Sequence, residues 1–180
     1  MTVSLLLPVS VLDDAVAKAH AAARALLPLI SATLHHQFPT GAYLVLTRPT
    51  DEHDDDLELH SVRDAHGRVL RDFTEWRRGL EPLPTVPDSI TALWGALDPC
   101  EPRAVQDLIQ RIDEVHPYRF FDFLPIEVRT DDEIDAEEEG GRVPLGVPLG
   151  APEPKRCAVC LTPVDEHAGR VCERHVTTYC

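Results

Sequence analysis

The chain reads as α+β, with helices packed on a small antiparallel three-stranded sheet and a separate small module at the C-terminus. Three observations predict this. An Ala- and Leu-rich stretch opens the chain and two further helix patterns lie in its middle. Three short runs with strand character stand between them. Four of the five cysteines crowd into the last 24 residues. At 180 residues the chain suits one compact domain with an appendage.

The first helix spans residues 9–37. Val16, Ala19, Ala23, Leu26, Leu27, Ile30 and Leu34 recur at three- and four-residue spacing, and Pro28, which lacks an amide donor, is expected to bend or break it. Residues 38–41, Phe-Pro-Thr-Gly, end it. Tyr43, Leu44, Val45 and Leu46 form a continuous apolar run suited to a strand covered on both faces. Residues 57–63 and 68–73 alternate about Asp64-Ala65-His66-Gly67, the chemistry of a tight hairpin turn. Pro82, Pro84 and Pro87 keep the next stretch a loop. Asp88 or Ser89 then caps a short helix through residue 97 that buries Ile90, Leu93 and Trp94. Asp98-Pro99-Cys100-Glu101 reads as a capping box opening another helix, whose buried face is Val105, Leu108, Ile109, Ile112 and Val115. Residues 118–128 are aromatic-rich and are expected to pack back on the sheet.

Composition then changes. Seven acids occupy residues 131–139, and Val-Pro-Leu-Gly repeats over 143–146 and 147–150. Self-repulsion and proline predict an acidic, then Pro/Gly-rich linker over 131–154, between a domain at 1–130 and a module at 155–180. On this reading, removing residues 140–180 leaves the first domain folded.

Cys157-Ala158-Val159-Cys160, eleven residues, then Cys172-Glu173-Arg174-His175 gives Cys-x2-Cys-x11-Cys-x2-His. A two-residue gap lets both donors of a pair face one ion, and two pairs complete the tetrahedron Zn²⁺ accepts. A segment this short has almost no core, so one structural Zn²⁺ would supply most of its folding free energy. His167 and Cys180 are alternatives to His175. Four basic side chains oppose three acidic ones in residues 155–180, whereas the whole chain carries −14. The pattern resembles a treble-clef or zinc-ribbon module, and that resemblance implies metal ligation by Cys157, Cys160, Cys172 and His175.

Other candidates are weaker. His20, His35 and His36 share the first helix, but adjacent histidines diverge by about 100°. The acids of residues 51–58 lack the glycine of a calcium loop. Cys100 matches no nucleophile motif, and Trp76 with Arg77 and Arg78 makes one small cationic aromatic patch.

The net charge argues against nucleic acid as a partner of the main domain. No apolar run spans a bilayer and no export signal opens the chain, so a cytoplasmic protein is expected. The function expected is a non-enzymatic binding or regulatory protein with a protein partner. The alternatives are an acidic decoy that inhibits a nucleic-acid-handling protein and a zinc-dependent enzyme.

Overall fold

The computed structural model describes residues 7–48, 56–74, 80–116 and 120–150. The chain divides after Gly150, and the first unit, Met1–Gly150, holds every described residue. Helix α1 is Leu7–Gln37, followed by strands β1 (Tyr43–Thr47), β2 (Glu58–Arg63) and β3 (Val69–Asp72). A one-turn helix α2 (Asp88–Thr91) continues as a 3₁₀ turn to Trp94, and α3 is Pro102–Val115. Strand β4 (Asp122–Phe123), a 3₁₀ turn at Ile126–Val128, helix α4 (Asp131–Glu138) and strand β5 (Leu145–Pro148) complete the domain.

The α+β class holds, but the sheet has five strands, in the antiparallel order β3-β2-β1-β5-β4. The two unexpected strands come from the aromatic stretch and from the Val-Pro-Leu-Gly repeat. In β5, Leu145 and Val147 join the main core while Gly146 lies against Leu124 and the ring of Tyr43. A Cβ on Gly146 would stand 3.1 Å from Leu124 Cδ1, so a larger residue fits only if that side chain gives by a few tenths of an ångström. The repeat thus hides a period of two. Ser31 Oγ on α1 donates to the Pro148 carbonyl at 2.8 Å and secures the strand's end.

The linker expected over 131–154 is therefore corrected: residues 131–150 belong to the first unit, and 151–154 fall outside the described residues. The acidic run forms α4 because its local chemistry overrides its mean charge. Thr130 Oγ1 accepts from the Glu133 amide, and the Glu133 carboxylate accepts from the Thr130 amide, closing a capping box. Acids in the first turn also suit the helix dipole.

Helices α1 and α3 cover one sheet face. Ile30 and Leu34 of α1 and Val105, Ile109 and Ile112 of α3 are fully buried with Leu44, Leu46, Leu59 and Val62. Val45, Leu124, Val128 and Tyr43 form a second cluster. Alternation along β1 separates the two.

Local expectations fared unevenly. Helix α1 runs unbroken through Pro28, since burial of Ile30 and Leu34 outweighs a local cost of about 3 kcal/mol. The hairpin turn forms as expected: Asp64 accepts from the amides of His66 and Arg68, and Gly67 has φ 79°. Helix α3 begins at Pro102, a few residues later than the capping box proposed at Asp98; Asp98 instead accepts from the Cys100 amide. Trp94 is buried and donates to Thr33 Oγ1, but Leu93 is exposed because the 3₁₀ turn rotates it away from the core.

Because β5 lies between β1 and β4, a chain ending at Gly140 loses the Leu145, Val147 and Leu149 packing. At about 2–5 kcal/mol per large buried side chain, that loss rivals the whole stability of a domain. A chain ending at Gly150 is expected to melt cooperatively, and one ending at Gly140 to show no cooperative near-ultraviolet circular dichroism transition.

Candidate functional site

Cys157, Cys160, Cys172 and His175, with the alternatives His167 and Cys180, lie outside the described residues. So do Trp76, Arg77 and Arg78, and residues 51–55 of the acidic loop. Among the described residues, no three His, Cys, Asp or Glu side chains gather where an ion could bind them together.

The most elaborate polar cluster in the domain is built on β2. The pairing of β1 with β2 shifts between Val45/Ser61 and Leu46/Leu59, which leaves His60 as the extra residue of a bulge. Gln106 of α3 pins the strand entering the bulge: its Oε1 accepts from the Leu59 amide at 2.8 Å and its Nε2 donates to the Leu57 carbonyl at 2.7 Å. Beyond the bulge, the Arg63 side chain is 1% exposed. Its Nε donates to Ser61 Oγ at 3.0 Å, and Nη1 donates to the Val128 carbonyl at 3.1 Å. Nη1 and Nη2 donate to the two carboxylate oxygens of Glu133, each at 2.7 Å. The guanidinium is thus held by a serine, a carbonyl and a bidentate carboxylate.

His60 Nδ1 lies 3.0 Å from the same Ser61 Oγ. Burial, and then the Arg63 charge, push the imidazole below its ordinary range, with Glu133 and Asp72 opposing in part. Burial alone would raise Glu133, but hydrogen bonds from Arg63 and the Thr130 amide outweigh it and hold the carboxylate below its usual range. A serine, a histidine and a carboxylate therefore stand close together, but Ser61 is fully buried. The arrangement docks α4 on the sheet.

A second bidentate pair, Arg48 Nη2 to both Asp113 oxygens at 2.7 Å, ties the end of β1 to α3. Gln37 Nε2 donates to the carbonyls of Pro84 and Pro99, clipping the proline-rich loop to the end of α1. Cys100 sits beside that loop, its Sγ 3.7 Å from the Pro84 carbonyl. Burial and the Asp98 charge push its thiol up, which disfavours a nucleophilic role.

His20 and His35 are separated by about 22 Å of helix. His20 instead meets His116, at the C-cap of α3, with ring centroids 5.5 Å apart. Phe120 packs edge-on against His20 at 5.8 Å. Sequence reading missed this pair and both buried ion pairs. One signal was present: an arginine closing the apolar alternation of β2 needs a carboxylate, and Thr130-x-x-Glu133 is a helix start that can present one.

No protein-family model matches the chain, and neither does any curated protein or solved structure.

Glu133→Gln leaves the Arg63 charge buried without its counter-ion and is expected to cost about 3–5 kcal/mol in urea unfolding. Arg63→Met combined with Glu133→Met should recover much of that loss. Both titrating groups act in the same direction. His60 and Glu133 bind protons less readily folded than unfolded, so their stabilisation is complete above the unfolded values and declines as pH falls through about 6.5 and then about 4.5. His60→Gln is expected to flatten the dependence of Tm on pH between 7 and 5 relative to the wild-type chain. Parallel curves would remove His60 from this role.

Proposed function

We propose that the chain is a non-enzymatic, cytoplasmic binding or regulatory protein whose α+β domain engages a protein partner while a C-terminal module, organised by one structural Zn²⁺ on Cys157, Cys160, Cys172 and His175, makes a second contact. Linked modules gain apparent affinity through effective concentration. No described helix is long and apolar enough to cross a membrane.

One surface carries the binding reading. On α1, Val9, Leu12 and Val16 are 60%, 63% and 45% exposed, yet they continue the 3.6-residue phase of Ala23, Ile30 and Leu34, which are buried in the domain. The core-facing stripe thus runs on past the core. Asp13 borders it on one side, so its complement is an apolar groove with a Lys or Arg at that rim. A second copy fits poorly. The antiparallel register that keeps clear of buried Ala23 centres near Leu12 and sets Asp13 beside its own counterpart, on chains that each carry −14.

The acidic-decoy alternative draws support from α4, where Asp131, Asp132, Asp135 and Glu138 face solvent while Glu133 and Glu137 pair with arginines. Salt separates the two readings, since screening weakens a charge-driven complex far more than an apolar one.

Elemental analysis of the full chain, purified under reducing conditions with zinc supplied, is expected to find one zinc per chain. Cys157→Ser with Cys172→Ser should abolish it. A specific partner retained by the wild-type chain should be lost with Leu12→Asp and weakened by the paired serine substitutions. Absence of zinc, or retention of the partner by Leu12→Asp, overturns the corresponding half of the reading.

A further inference from the structure

The histidine pair that joins α1 to α3 has features that packing alone does not require. His20 comes from the middle of a 31-residue helix and His116 from the C-cap of a 14-residue one, so the packing of two helices sets their separation. Both residues are partly buried rather than sealed in the core. With metal–nitrogen bonds of about 2.0–2.1 Å and a tetrahedral angle at the ion, two imidazole centroids lie roughly 5–5.5 Å apart. The observed separation is 5.5 Å. The carbonyl end of α3 adds a field that attracts a cation, and a chain of net charge −14 concentrates cations around it.

We propose that His20 and His116 form a two-imidazole site for a divalent transition-metal ion that accepts imidazole nitrogen at a tetrahedral angle, such as Zn²⁺ or Co²⁺. The protein supplies two ligands and water completes the shell. This differs from the C-terminal cysteine pattern, whose four donors would close the coordination sphere. The bound ion would staple α1 to α3 just where α1 leaves the domain core, beyond Ala23. The Phe120 edge against His20 limits how far that ring can swing.

Co²⁺ added to the full-length wild-type chain, as a paramagnetic stand-in for Zn²⁺, tests this. Being paramagnetic, it broadens the imidazole resonances of whichever histidines bind it, so binding at the C-terminal cysteines is read separately. His20 and His116 are expected to broaden together, at the same increments and before His35, His36, His60 and His66. In His20→Ala, a substitution that suits a helix, His116 is expected to need about tenfold more Co²⁺, because one arm of the chelate is gone. His116→Gln should have the reciprocal effect on His20. Broadening of one ring without the other, or an unchanged His116 titration in His20→Ala, overturns the proposal.

Discussion

A buried guanidinium must be paired, and much of this domain's architecture follows from how Arg63 meets that demand. An arginine 1% exposed on a sheet face cannot draw its counter-charge from water. Its neighbours on β2 offer one hydroxyl, from Ser61. The carboxylate arrives from Glu133, seventy residues on, at the first turn of α4. Once Glu133 is fixed there, the chain after α4 begins near the sheet, and β5 can enter between β1 and β4. Glu133 also caps its own helix, so one side chain both starts α4 and docks it. Those two tasks reinforce each other, because a helix that frays would lose the anchor and an undocked helix would leave Arg63 unpaired.

Periodicity carried the parts of the fold that pack by their own pattern. The buried face of α3, the β2–β3 hairpin and the apolar stripe of α1, though not its unbroken passage through Pro28, were legible because each repeats apolar residues over several turns or alternations. The acidic and proline-rich segments were not, because composition averages over positions. Seven acids in nine residues describe a repelling chain, yet the capping box and the Arg63 and Arg129 pairs single out Thr130, Glu133 and Glu137. Likewise, proline and glycine in Val-Pro-Leu-Gly suggest a spacer. In the sheet, Gly146 gives the clearance that Leu124 and Tyr43 require, and Pro148 falls at the strand's last position.

The candidate sites were legible in a different way. A knuckle pattern can be read because metal chemistry imposes local spacing. The Arg63–Glu133, Arg48–Asp113 and His20–His116 pairs join residues 65 to 96 positions apart, and no local rule links them. What sequence does reveal is demand: Arg63, Gln106 and Arg48 stand where burial is imminent and a partner is required. Supply becomes visible only once topology brings α3 and α4 alongside the sheet.

Helix α1 shows how one periodic pattern can serve two ends. From Ala23 to Gln37 its apolar stripe is covered by α3 and the sheet, and packing there is strong enough to carry the helix through Pro28. From Val9 to Val16 the same stripe continues in phase with nothing from the described domain over it. A helix end not selected for contact has no need to keep apolar residues on one line, since solvent rewards polar substitution there at little cost to helix propensity. The continued phase of Val9, Leu12 and Val16 is the observation on which the proposed partner surface rests, whereas the equally exposed Val11 falls off that line. The His20–His116 contact sits at that border, between the half of α1 that holds the domain together and the half that reaches out from it.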